Sequence, residues 1–154
     1  MSCMSEVIYQ NKSGLILFEK NVVTTLNQWR QHGKKSEAGG ILIGYRRPPH
    51  IQVVACTIPY RKDKRSRFEF KRRDPKHIAI ARQYWRNSNG QAYYLGDWHT
   101  HPVDRASPSF VDNYEWGKLA NSRLGSDLLF VIVGRKQWYV QHDKKSLSLV
   151  ERKT

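Results

Sequence analysis

"QAYYLGDWHTHPVDRASPSFVD", Gln91 to Asp112, reads as a strand, a return and the start of a helix. Aromatic and apolar residues from Tyr93 to Trp98 suit a half-buried strand. On such a strand residues two apart share a side, so His99 and His101 project together while Trp98 and Thr100 face the other way. Pro102 forbids simple continuation of a central strand and turns the chain. Pro108 and Ser109 then precede "FVDNYEWGKL", where Ser109 is a candidate N-cap and Asp112 sits favourably in the first turn, a variant of the capping box. A strand that hands over to a helix through so short a return places that helix beside the sheet.

The same alternation runs outward in both directions. "LILFEK", Leu15 to Lys20, is a short strand-like run, and "NVVTTLNQWRQHG" follows as a helix with Val22, Leu26 and Trp29 on one face and Gly33 as its stop. "GGILIGYRR" and "IQVVACTIPY" are two strands joined at "PPH". The helix "PKHIAIARQYWRN" starts at Asp74 and Pro75, presents Ile78, Ala81 and Trp85, and ends at "NSNG". "SFVDNYEWGKLANSRLG" is a third helix closed by Gly125. "DLLFVIVG" and "KQWYVQH" form a hairpin through Arg135 and Lys136, and "LSLVER" adds an edge. Strands and helices alternate but several strands are consecutive, which predicts an α/β (α+β) fold: a mixed sheet with helices on its faces.

At 154 residues without repeat, low-complexity tract or Gly/Ser linker, the expectation is one domain over residues 1–154. Two cysteines, Cys3 and Cys56, give no metal or redox spacing and fit a reducing cytoplasm. No basic-then-apolar start reads as a signal peptide, and no run nears the ~20 apolar residues of a membrane span, so no membrane partner is expected. Charge is the unusual property: 27 Lys and Arg against 13 acids, a formal +14. That field favours an anionic partner, whether nucleic acid or an acidic protein.

The chemistry follows from the histidines. Two imidazoles at i and i+2 can chelate one ion, although a histidine pair at a strand end is more often ordinary surface. The eleven-residue return from His101 to Asp112 is long enough to bring the helix's first turn beside the strand end. His99, His101 and Asp112 would then hold zinc with a fourth position open to water, the pattern of a catalytic site. Such a site also wants a carboxylate to move a proton. Glu37, in "KKSEAGGILIG", is the candidate, since the glycines after it permit close backbone approach. A solvated strand-start residue is its ordinary reading.

Together, Glu37 with "GGILIG", then "HTHP", six residues, Ser109, two residues and Asp112 resemble the JAMM (MPN+) metalloprotease signature: an upstream glutamate, H-x-H-P, a spacer and S-x-x-D. The resemblance implies a curved mixed β-sheet flanked by helices and one Zn²⁺ per chain on His99, His101 and Asp112. It implies Glu37 as general base and acid working through the zinc-bound water, and Ser109 as a stabiliser of the oxyanion. "YYLGDWHTHPVDRASPSFVD" and "FEFKRRD" are further similar to the small standalone members of bacterial CBASS antiphage operons. Those are deconjugating isopeptidases that cut an amide bond at the C-terminal tail of a conjugated nucleotidyltransferase (CD-NTase, a cyclic-oligonucleotide synthase). They reverse the work of an E1/E2-like conjugating enzyme. An extended C-terminal tail would be read by strand addition to a sheet edge.

Other readings stay open. The stretch Arg61 to Lys76 carries nine basic residues against three acids, with Phe68 and Phe70 interleaved. It could bind nucleic acid, as in a JAMM-like protein linked to DNA repair, or be a solvated loop, or, since Phe68 and Phe70 alternate with charges, an ordinary half-buried strand. Under the isopeptidase reading it would meet an acidic partner surface. A JAMM peptidase that processes phage-tail or carrier proteins would keep the zinc and change the bond. His142 falls where a cupin would place a second metal histidine, but the other cupin residues are missing around "HTH". The five tryptophans read as core or rim.

Overall fold

The computed structural model describes residues 5–10, 14–122 and 127–150. In chain order its elements are β1 (Val7–Gln10), β2 (Leu15–Phe18), α1 (Lys20–Gln28), β3 (Gly39–Arg47), β4 (His50–Cys56), β5 (Lys64–Ser66) and β6 (Glu69–Lys71). They continue with α2 (Lys76–Asn87), β7 (Ala92–Thr100), α3 (Phe110–Ala120), β8 (Leu129–Val133), β9 (Trp138–His142), β10 (Lys145–Ser146) and β11 (Ser148–Leu149). Nine strands form one sheet in the order β10-β9-β8-β7-β3-β4-β2-β1-β11, and β5 pairs with β6 separately. The sheet is mixed and curved: β2 runs parallel to β4 and β7 to β8, while the other pairs are antiparallel. The α/β (α+β) expectation holds.

Two apolar clusters cover the two faces. One joins α1, through Val22, Val23 and Leu26, to Leu42, Val53, Leu95, Trp98, Val131 and Val133. The other joins Ala81 of α2 and Trp116 of α3 to Ile41, Ile43, Phe130 and Ile132. The alternation of neighbours between clusters is the strand period made visible: Ile41 and Ile43 face one way, Leu42 the other. At the centre lies β3 between β7 and β4, and β3 and β8 flank the strand that ends in the histidines.

Several sequence expectations are corrected in detail. Helix α1 ends at Gln28 with Trp29 as its C-cap, four residues before Gly33, which instead takes a left-handed conformation (φ 60°) in the following turn. On α2 the buried residues are His77 and Ala81, while Trp85 is 50% exposed. His77 replaces Trp85 in the interior because Thr57 and a carboxylate satisfy both ring nitrogens: Nδ1 lies 2.5 Å from Thr57 Oγ1 and Nε2 2.7 Å from Asp63 Oδ2. The basic stretch is not an unstructured loop but holds the β5–β6 hairpin; Phe68, at its turn, is 72% exposed. The edge expected in "LSLVER" is β11 against β1. Gly125 and Cys3 lie outside the described residues.

Candidate metal centre

The end of β7 is fixed on both sides. Thr100 N–H donates to the Ala38 carbonyl at 2.9 Å, Ala38 N–H donates to Thr100 Oγ1 at 3.0 Å, and His101 N–H donates to the Val133 carbonyl at 3.1 Å. The Thr100 hydroxyl donates to the buried Gln31 Oε1 at 2.7 Å. With Trp98 and Thr100 buried on the α1 face, His99 and His101 must point to the opposite one, as alternation requires. Their Nε2 atoms lie 3.1 Å apart.

Asp112 meets them from the first turn of α3. Its Oδ1 is 3.1 Å from His99 Nε2 and its Oδ2 3.2 Å from His101 Nε2. The helix start is a full capping box: Ser109 Oγ accepts from Asp112 N–H at 3.1 Å, and Asp112 Oδ2 accepts from Ser109 N–H at 2.9 Å. Ligand atoms placed tetrahedrally around an ion at roughly 2.0–2.1 Å lie about 3.3 Å from one another. The two imidazole nitrogens stand 3.1 Å apart, and each has a different Asp112 oxygen at 3.1 or 3.2 Å, spacings close enough for two imidazoles and a carboxylate to share one small ion. Burial would raise the Asp112 carboxyl, but its bonds to His101, His99 and the Ser109 N–H outweigh that and hold it far below the usual carboxylate range. His101, which burial would lower, is raised by Asp112 and Glu37. A carboxylate kept ionised beside two imidazoles is suited to a cation.

Glu37 completes the group. It is 4% exposed, so it is no solvated strand-start residue. Its Oε1 lies 3.9 Å from His101 Nε2, and one ligand atom each from Glu37, His99 and His101 fall within 4.8 Å of one another. That is farther than Asp112 stands, yet close enough for Glu37 to share the site with the two imidazoles. Burial pushes the Glu37 carboxyl up to about 7, with Asp112 and Glu69 adding to the rise and His101 opposing it.

Residues not anticipated from sequence set this position. Glu37 N–H donates to the Ser66 carbonyl at 2.7 Å, and Arg65 donates through Nε to the Glu37 carbonyl at 2.7 Å and through Nη2 to the Ser36 carbonyl at 3.3 Å. Phe70 of β6 packs on Gly39 so tightly that a Cβ there would sit 2.5 Å from the Phe70 ring, and a Cβ at Gly40 would sit 2.2 Å from the Thr57 carbonyl. The close approach read from "GGILIG" is thus used twice. The only advance signal for the hairpin was alternation of Phe68 and Phe70 with charges. His142 takes no part: it lies 2.6 Å from Asp127 on β9, two strands from β7.

Comparison with known proteins fits this geometry. Residues 19–149 match the family described as prokaryotic homologs of the JAB domain. A Pseudomonas aeruginosa protein named CD-NTase/cGAS isopeptidase is 38% identical over 146 residues, covering 92% of this chain and 90% of that one. A Vibrio cholerae protein of the same name is 35% identical over 150 residues, covering 96% and 95%. The solved structure of protein DSY2949 from Desulfitobacterium hafniense has the same fold, with a TM-score of 0.58 at 22% identity over 87% of this chain and 88% of that one. By the length of the family match and the identity of these relatives, the chain belongs to the prokaryotic JAB-domain family.

Proposed function

We propose that this protein is a single-domain zinc metalloprotease of the JAMM type. It hydrolyses an isopeptide or peptide bond at the C-terminal tail of a conjugated CD-NTase, within a CBASS antiphage system. The observation that carries the reading is the convergence of His99, His101 and Asp112 at 3.1–3.2 Å with the buried Glu37 at 3.9 Å. The names of the relatives supply the substrate class.

His99, His101 and Asp112 would hold the ion. When bound, zinc supplies Lewis acidity, making a water a better nucleophile and polarising the scissile carbonyl. Glu37 takes the proton from the attacking water and returns it to the leaving amine, a task suited to a carboxyl whose proton affinity burial has raised towards neutrality. Its surroundings make it a better base than an exposed glutamate. Ser109 Oγ accepts the capping bond from Asp112 N–H, which leaves its hydroxyl hydrogen to donate to the oxyanion of the tetrahedral intermediate. The substrate's tail pairs as an added strand at a sheet edge. The exposed cations of the Arg61–Lys76 stretch meet the acidic face of the conjugate or of the E1/E2-like enzyme.

The test is cleavage of a purified conjugate between a CD-NTase and a target amine. Activity should disappear with a chelator and return with stoichiometric zinc. Cleavage that survives complete removal of the metal would overturn the proposal.

A further inference from the structure

A cavity of about 800 Å³ opens between the end of α1 and the β5–β6 hairpin, and it shares no lining residue with the metal centre. Three cationic side chains line it, Arg30, Lys35 and Arg65, and no carboxylate does. Two aromatic rings, Trp29 and Tyr60, complete its walls. The Arg65 guanidinium lies over the Trp29 ring at 5.4 Å, and Lys76 Nζ lies 4.8 Å from the Tyr60 centroid.

One of the three cations has no ion pair among the described residues. Arg30 Nε is buried and has no hydrogen-bond partner among the described residues. Arg135 Nε is also buried, but it lies 3.1 Å from an Asp104 carboxylate oxygen. Arg30 has no such ion pair among the described residues. The Nε atom itself is enclosed beyond a ligand's reach, but Arg30 is only half-buried, and the rest of its guanidinium is free to pair with an anion in the cavity. Arg65, by contrast, is anchored on the Ser36 and Glu37 carbonyls and so presents a fixed positive edge.

We propose that this cavity is a nucleotide site, with the phosphate on Arg30 and Lys35 and the base against the aromatic walls. Guanidinium and ammonium groups without competing acids select phosphate. Flat aromatic walls favour a planar base over an aliphatic anion. The volume lies within the usual range for small-molecule sites, roughly 300–1,000 Å³.

Isothermal titration of the intact protein with AMP, adenosine and inorganic phosphate at physiological salt tests this directly, without recourse to cleavage. AMP should bind at least tenfold more tightly than either adenosine or phosphate. Arg30→Gln should weaken AMP at least tenfold, with melting temperature and zinc content unchanged. Lys35→Glu, at an exposed position that tolerates substitution, should weaken AMP as well. The proposal is overturned if AMP binds no better than phosphate, or if Lys35→Glu leaves its affinity intact. Binding of AMP seen only at low salt overturns it too, since that is the general field of a +14 chain.

Discussion

The two halves of the candidate metal centre are built in different ways. His99, His101 and Asp112 fall within fourteen residues, on one strand end and the helix that follows it, and are aligned by sheet pairing and a helix cap. Glu37 comes from another part of the chain, lies two residues outside its strand, and is held by a three-residue-stranded hairpin through Ser66 and Arg65. The ligand half is secured by regular secondary structure. The half that holds Glu37 depends on tertiary contacts made by the β5–β6 hairpin. Loss of ion and loss of proton transfer should therefore be separable by mutation.

The largest expected effect is on the acid side. Glu37→Gln should lower kcat by about 10²–10⁴-fold while zinc content by elemental analysis stays at one per chain; loss of the metal would make Glu37 a ligand instead. On the ligand side, Asp112→Ala should reduce zinc affinity and turnover together, by more than the roughly 10–100-fold typical of losing a ligand's hydrogen-bond partner. Full metal content in that variant would remove Asp112 from the coordination set. Arg65→Gln should lower kcat by about tenfold with zinc content intact, because it frees the Ser36 and Glu37 carbonyls. If kcat is unmoved, the hairpin does not position the acid.

Two smaller effects sharpen the contrast. In metal-free protein the fold holds the Glu37 proton more tightly than the unfolded chain, which releases it near 4.5. Stability should therefore fall as pH rises from about 4.5 to about 7 and level off above, by up to about 3 kcal/mol. Denaturant melts should show Glu37→Gln more stable than the parent well above neutrality and equal to it in acid. Charge reversal for partner docking belongs at Arg73 rather than Arg72, since Arg72 Nε is engaged with Asp97 at 3.0 Å and its guanidinium lies over Tyr94. Arg73→Glu should slow cleavage of a full conjugate several-fold and leave a short peptide substrate unaffected, as for a rim charge that steers association.

What was legible in the sequence follows the same division. The period of two along "WHTHP" and the Ser109–Asp112 cap are local rules, so the facing of both imidazoles and the start of α3 could be read directly. Glu37 could be nominated from the glycines that follow it, but its burial could not be read, because a lone acid before two glycines carries no local sign of burial and only the family pattern gave it weight. The hairpin was hidden by its brevity: three residues per strand, mostly charged, leave little alternation to detect. The burial of His77 was hidden for a related reason. Whether a histidine can be buried depends on partners such as Asp63 and Thr57, fourteen and twenty residues away, and not on the helical stripe it occupies. Trp85 took the opposite course, its place on the stripe being outside the reach of the sheet.

The cap on α3 carries one more consequence. The bonds between Ser109 and Asp112 would form in any helix beginning with these residues, so the carboxylate is oriented by folding itself and not by the arrival of its cation. A cation bound there would meet a carboxylate already turned into place. Starvation for metal should then leave intact, idle molecules that regain function on resupply, rather than unravelled ones destined for degradation.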